Sequence, residues 1–211
     1  VIIDYTASSR SLDATRLHHG LELQLLAYLN ALVHTAAGQA ELGQAPLRPA
    51  GAFYVGLRPE DDSASSRREA CAAGAGSRTA SYQHTGRFLG DALASLDNRS
   101  ASVGDQFKYR RNKDGGFDRR STEALSAPEF HALLALNETF LRRHAEAIFR
   151  GEVDVKPIKI RKKTACEECD YRAICRFDPW LHPYRLLVPP PKPPKPATEA
   201  SARPPSRRRN P

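Results

Sequence analysis

The sequence predicts an α/β protein, a mixed sheet with helices packed against it. Three features point that way. The chain opens on Val1-Ile2-Ile3-Asp4-Tyr5, a β-branched run suited to a buried strand that ends in a carboxylate. Residues 51–57, Gly-Ala-Phe-Tyr-Val-Gly-Leu, read as a second strand. Between them lies a leucine-rich helical stretch, and a strand, a crossover helix and a second strand form a right-handed parallel unit.

The 211 residues suffice for one domain with a sizeable core. No methionine is present, and a chain that opens inside a strand reads as a piece whose beginning lies upstream. The formal charge is +8. Five of those units belong to the tail after Val188, leaving the body at +3, a modest excess that fits a polyanion partner. No apolar run is long enough to cross a bilayer, and no signal peptide is visible. Of the four cysteines three are clustered, which suits a metal or cluster site in a reducing compartment. The chain reads as cytoplasmic.

After the first strand, residues 6–11 are a polar loop, and Asp13 or Thr15 caps a helix running to about His34. Gly20 interrupts it, either for close packing against the sheet or to leave room for a ligand backbone. Gln24 and Tyr28 share a helix face with Leu17, Leu21 and Leu32, which predicts that this face lies against the sheet. Residues 59–81 lack periodicity and read as a mobile loop containing Cys71. A short helix is expected at residues 86–96. Residues 106–111 and 117–119 read as a hairpin around Asp114-Gly115, decorated by Lys108, Arg110, Arg111, Lys113, Arg119 and Arg120. Those cations either protect an exposed edge or contact phosphate.

Ser126-Ala127-Pro128-Glu129 fits a capping box. The helix it opens is expected to reach Arg150, with Phe130, Leu133, Leu134, Leu141, Ile148 and Phe149 as its core face. Residues 153–160 extend back across the domain, and the basic residues Lys156, Lys159, Arg161, Lys162 and Lys163 lead into a cysteine motif at 166–175. Residues 1–188 form the folded unit; the Pro-rich basic tail, 189–211, reads as disordered.

Taken alone, an Asp at a strand end is commonly a turn former, and a Gln and a Tyr on an amphipathic helix are commonly rim residues. The cysteine motif adds weight. Cys166, Cys169 and Cys175 are spaced C-x2-C-x5-C, with Glu167, Glu168, Asp170 and Arg172 marking a polar turn rather than a core. Together with Ile2-Ile3-Asp4-Tyr5, the stretch Gly20 to Tyr28 and Gly51-Ala52-Phe53-Tyr54, it resembles the C-terminal nuclease domain of the AddB subunits of bacterial AddAB helicase–nucleases. These belong among the RecB-like PD-(D/E)XK nucleases. The resemblance runs from Val1 to about Leu187 and is weak between Pro59 and Ser81.

The resemblance implies a partial PD-(D/E)XK restriction-endonuclease-like core with a C-terminal cysteine cluster. Phosphodiester cleavage at neutral pH needs a metal ion to activate water and absorb charge, and carboxylates hold Mg²⁺ through hard oxygens. By position, Asp4 is the metal-binding Asp of a D-Y-K motif, and Gln24 and Tyr28 are its Gln-x3-Tyr pair. The motif lysine falls on Thr6, which carries no charge. Arg10 or Arg16 could supply charge, and spacing favours neither. A further metal-binding Asp is expected upstream of Val1, so this chain alone is expected to be inactive. Cys166, Cys169 and Cys175 are implied ligands of a 4Fe-4S cluster whose fourth cysteine also lies upstream. Cys71 is an alternative fourth ligand, and zinc held by the three cysteines with His182 is chemically permissible.

Two readings follow. One is the C-terminal part of a Mg²⁺-dependent, ATP-linked exodeoxyribonuclease subunit, with an AddA-like partner, processing DNA ends in recombinational repair. The other is a degenerate, non-cutting fold that binds DNA through an iron–sulfur or zinc module, with the basic residues at 156–163 near the DNA.

Overall fold

The computed structural model describes residues 1–8, 10–35, 47–58, 66–72, 82–99, 101–118 and 123–191. β2 (Gly51–Gly56) is buried along its whole length. β1 (Ile2–Thr6) runs parallel to it, with Ile2 opposite Ala52 and Thr6 opposite Gly56. β3 (Thr85–Leu89) is antiparallel on its other side, and the short β4 (Ala124–Leu125) is parallel to β3. The order β1-β2-β3-β4 is therefore a mixed sheet, as expected.

Alternation along β2 sends Ala52 and Tyr54 to one face and Phe53 to the other. On the first face they meet Leu12, Leu17, Leu25, Leu26, Leu29, Phe130 and Leu134. These leucines and Phe130 come from the strap after β1, from α1 (Ala14–His18), from α2 (Gln24–His34) and from α5 (Ala127–Phe149). On the second face Phe53 packs with Phe88, Leu93, Phe107 and Tyr109.

β1 is half-buried rather than buried. Val1, Ile3 and Tyr5 are exposed, because no described element covers their face of β1. The predicted single helix over residues 13–34 is two helices. Gly20 sits at φ +72°, Glu22 at φ +56°, and the chain turns between α1 and α2. A side chain at Gly20 would meet the ring of Phe140 at 2.5 Å, so the close approach is to α5 and not to the sheet. The left-handed Glu22 is unusual for a side-chain-bearing residue. Its carboxylate holds the turn, accepting from the Asp13 N–H at 3.1 Å and the Arg16 guanidinium at 3.2 Å.

Residues 86–89, expected to be helical, complete β3. Only Gly90–Ala92, a 3₁₀ turn, and α4 (Leu93–Leu96) are helical there, since Gly86 and Phe88 are needed against β2. Within 59–81, where no periodic element is expected, Arg67–Ala72 forms the short helix α3, which carries Cys71. Residues 59–65 and 73–81 lie outside the described residues, as do Arg119, Arg120 and the tail from 192. The Asp114-Gly115 turn is present, closed by Asn112 N–H to Gly116 O at 2.7 Å, and the strands around it pair only as isolated bridges.

The capping box on α5 forms as predicted, with Ser126 and Glu129 bonded reciprocally, and the helix ends at Gly151 with φ +71°. Its core face is shorter than expected. Phe130 and Leu134 are buried, while Leu141, Ile148 and Phe149 are exposed. Two asparagines instead join α5 to α2. Asn30 Nδ2 donates to the Leu134 carbonyl at 3.1 Å and to Asn137 Oδ1 at 3.3 Å, and Asn137 Nδ2 donates to the Leu23 carbonyl at 3.0 Å.

A second, smaller sheet follows, with order β6-β5-β7: β5 (Ile158–Ile160), β6 (Lys163–Thr164) and β7 (Arg185–Leu186). The single-turn α6 (Arg172–Cys175) lies between β6 and β7.

Candidate functional site

Asp4 is the third residue of β1 rather than its last, because the ladder with β2 continues to Thr6. Its register partner is Tyr54, so both side chains leave the sheet on one face. This is the face that α2 covers, since Ile2, two residues before Asp4, packs against the leucine cluster. The Tyr54 ring is 1% exposed, and its hydroxyl has no hydrogen-bond partner among the described residues. Burial raises its pKa. The Arg10 charge opposes the rise, and Asp4, Glu22 and Tyr28 add to it. The Arg10 guanidinium lies over the ring, 4.8 Å from its centroid.

Gln24 and Tyr28 stand one turn apart on α2 and bond each other, Gln24 Nε2 donating to the Tyr28 hydroxyl at 2.7 Å. Both are exposed. Their face does not lie against the sheet, contrary to the sequence expectation. Leu25, Leu26 and Leu29 make that contact, because a purely apolar face buries more favourably than one carrying an amide and a phenol. Gln24 and Tyr28 are thereby left at the rim.

Thr6 lies on the same side of β1 as Asp4, and its hydroxyl donates to the Ser8 carbonyl at 2.6 Å. The two arginines that spacing could not separate are now distinct. Arg16 is tied to Glu22, and Arg10 is stacked beside the Asp4 register partner. Tyr54, the register partner of Asp4, is not among the residues the sequence singles out as candidates. The parallel register that joins Tyr54 to Asp4 has no local signal in the chain.

Residues 1–176 match the PD-(D/E)XK nuclease superfamily. The chain belongs to that superfamily. It is also similar to the B subunits of bacterial ATP-dependent helicase/deoxyribonucleases. That of Bacillus cereus (strain G9842) is 32% identical over 187 residues, covering 84% of this chain. Those of Bacillus thuringiensis (strain Al Hakam) and Bacillus anthracis are 32% and 30% identical over the same length. The chain spans about 15% of the length of these relatives.

PD-(D/E)XK nucleases generally use a divalent metal, and the Asp4 carboxylate fits one ligand position. It is partly buried, and no described residue hydrogen-bonds or ion-pairs with it. Mg²⁺ typically takes one or two carboxylates and keeps several waters. Asp4 would hold the ion, which would lower the pKa of a bound water and polarise a phosphate. Among the described residues no group of three or more His, Cys, Asp or Glu side chains could hold a metal ion.

The three clustered cysteines are free thiols that line one small cavity of about 50 Å³, with Arg172, Phe177, Pro179 and Tyr184. The α6 turn places Cys175 on the same cavity as Cys166 and Cys169, and the left-handed Arg176 that ends it, φ +51°, precedes Phe177 on that lining. The three cysteines could supply at most three of the four thiolates a cubane cluster needs, and as placed they do not form a group that could hold a metal ion. His182 does not line this cavity; its Nδ1 accepts the Asp178 N–H at 3.1 Å. Cys71 is exposed on α3 and does not line it either.

The five basic residues occupy three settings rather than one face. Lys156 pairs with Asp154 at 2.7 Å beside a cleft of about 540 Å³ that Arg143, His144 and Arg185 also line. Lys159 covers the Tyr184 ring at 5.2 Å. Arg161, Lys162 and Lys163 form the exposed tip of the β5–β6 hairpin, where Arg161 takes φ +54°.

No helix among the described residues is long and apolar enough to cross a membrane.

Proposed function

We propose that this chain is the nuclease part of an ATP-linked helicase–nuclease subunit of the AddB kind, a Mg²⁺-dependent deoxyribonuclease that processes DNA ends during recombinational repair in the cytoplasm. Superfamily membership and similarity to the helicase/deoxyribonuclease B subunits support the reading. The observation that carries it is the unpartnered Asp4 carboxylate beside Tyr54, with the bonded Gln24–Tyr28 pair at the rim. In this reading Asp4 holds the metal, Gln24 and Tyr28 order the strand being cut, and the cysteines carry a structural 4Fe-4S cluster. Arg161, Lys162 and Lys163, with Lys156 and Lys159 nearer the body, contact duplex ends. An AddA-like subunit is the partner.

Thr6 favours a second reading. A neutral hydroxyl bonded within its own turn does not replace an ammonium at a phosphate, so the fold would bind DNA without cutting it.

One experiment separates the two. The purified gene product, with its AddA-like partner, is given labelled single-stranded DNA and Mg²⁺. Cleavage that disappears in Asp4→Ala supports the nuclease; cleavage that survives removes Asp4 from the mechanism. Binding without cleavage, with cleavage appearing in Thr6→Lys, establishes the non-cutting reading.

A further inference from the structure

The cation that the Asp4 site lacks at position 6 has a counterpart elsewhere in the fold. Arg10 is exposed, and its side chain has no hydrogen-bond or ion-pair partner among the described residues. The other arginines near β1 are occupied. Arg16 is paired with Glu22. Arg87 donates to the Gly86 and Leu12 carbonyls and lies 3.9 Å from Glu123. Arg10 keeps all five of its donors available, and its guanidinium carbon lies 4.8 Å from the Tyr54 ring centroid.

That placement is built into the fold. The strap after β1 is pinned at three points. The Arg10 carbonyl accepts the Thr85 hydroxyl, the Leu12 side chain is 2% exposed within the helix-side core, and the Leu12 carbonyl accepts Arg87 Nη2 at 3.0 Å. The platform beneath Arg10 is as fixed, because Tyr54 is a buried residue of the central strand in register with Asp4. A second observation points to a ligand at the same spot. The Tyr54 hydroxyl is buried and has no hydrogen-bond partner among the described residues.

We propose that Arg10, stacked on Tyr54 next to Asp4, binds the substrate phosphodiester and supplies the positive charge that Thr6 cannot. The ligand class is a phosphodiester strand. A guanidinium suits the duty, since its planar fork matches two non-bridging phosphate oxygens. It stays protonated at every accessible pH, so Arg10 binds and neutralises phosphate and does not take a proton from water. Tyr54 is a positioning residue, orienting the guanidinium through its ring. The inference rests on the proposed nuclease reading of the Asp4 site.

The test measures binding of a fluorescein-labelled single-stranded oligonucleotide to the purified gene product by anisotropy, with Ca²⁺ in place of Mg²⁺, across a salt series. Arg10→Gln is expected to weaken binding about tenfold, the loss of one charge-assisted contact. It should also flatten the plot of log affinity against log salt by about 0.7, the value for one phosphate on a single strand. Arg10→Lys should keep the slope, Arg16→Gln should match wild type, and Thr6→Lys added to Arg10→Gln should restore the slope. Thermal melting should be unchanged in Arg10→Gln, because the side chain is exposed. If Ca²⁺ strengthens wild-type binding and Asp4→Asn abolishes that gain while Arg10→Gln binds like wild type, the Arg10 assignment falls alone. A double variant as weak as Arg10→Gln also overturns it. If neither Ca²⁺ nor Asp4→Asn affects binding, the nuclease reading falls and the assignment falls with it.

Discussion

Glu123 and Asp97 are both buried carboxylates, and their surroundings push them in opposite directions. Burial raises the Glu123 pKa, with the Gly86 N–H, Arg87 and Lys108 only partly opposing. The carboxylate accepts the Gly86 N–H next to the short β3–β4 ladder. A raised carboxyl pKa means that the charged form destabilises the fold, and the penalty disappears as the group protonates. Glu123→Gln keeps an acceptor for Gly86 without the charge. It should therefore raise the urea midpoint at pH 7, and the gain should shrink towards zero as pH falls to the ordinary glutamate value of 4.5. A gain that is constant with pH would show that Glu123 is not the titrating group. Asp97 is held low, first by hydrogen bonds from Arg99 and also by the Tyr109 hydroxyl. Its contribution is present above the usual aspartate value of 3.8 and is lost as pH falls through the depressed pKa. Asp97→Asn should lower the urea midpoint at pH 7 and lose its effect in strong acid.

At the scale of elements, the join between α2 and α5 decides where the candidate site residues stand. Asn137 bonds the Leu23 carbonyl, immediately before Gln24, and accepts from Asn30. Asn137→Ala removes one bond to the part-buried Leu23 carbonyl and one to the buried Asn30 amide, each worth about 0.5–1.5 kcal/mol. Urea denaturation should show that loss, and the Gln24–Tyr28 rim should loosen with it. A loss below about 0.5 kcal/mol would mean that water replaces the bonds. Element identities were legible in the sequence where the signals were local. The capping box at Ser126, the Asp114-Gly115 turn and the run at Gly51 all formed. The errors came where a distant partner decided. Gly86 and Phe88 carry an apolar pattern that suits a short helix, and pairing with β2 made them a strand. Leucines at 25, 26 and 29 took the sheet because Phe130 and Leu134 of α5 closed over the same patch.

For the whole molecule, the cysteine pocket is a second feature, remote in sequence from Asp4. Three thiols line one cavity, and the small sheet around it carries the exposed basic hairpin tip. Anaerobic reconstitution of the gene product with iron and sulfide should give a brown protein. Cys169→Ser should lose the colour and the protection of residues 158–186 from proteolysis. Colourless protein that instead retains stoichiometric zinc would assign the pocket to zinc. His182 does not line the cavity, so a zinc site there would need a fourth ligand other than that imidazole. With Arg161, Lys162 and Lys163 exposed at the tip, removing one of these charges should reduce the salt dependence of duplex-end binding, and an unchanged slope would place the DNA elsewhere.

The sequence by itself determined the α/β class, the C-x2-C-x5-C grouping and the turn-to-turn pairing of Gln24 with Tyr28. These are short-range relations, set by periodicities of two and 3.6 residues and by the conformational limits of single turns. Tertiary structure alone decided that Tyr54 stands beside Asp4 and that Arg10, not Arg16, stacks upon it. It also decided that Gly20 yields to Phe140 and that Gln24 and Tyr28 remain at the rim. Strand register and helix rotation follow from which apolar surfaces can be buried together, a property of the assembled core that no segment contains.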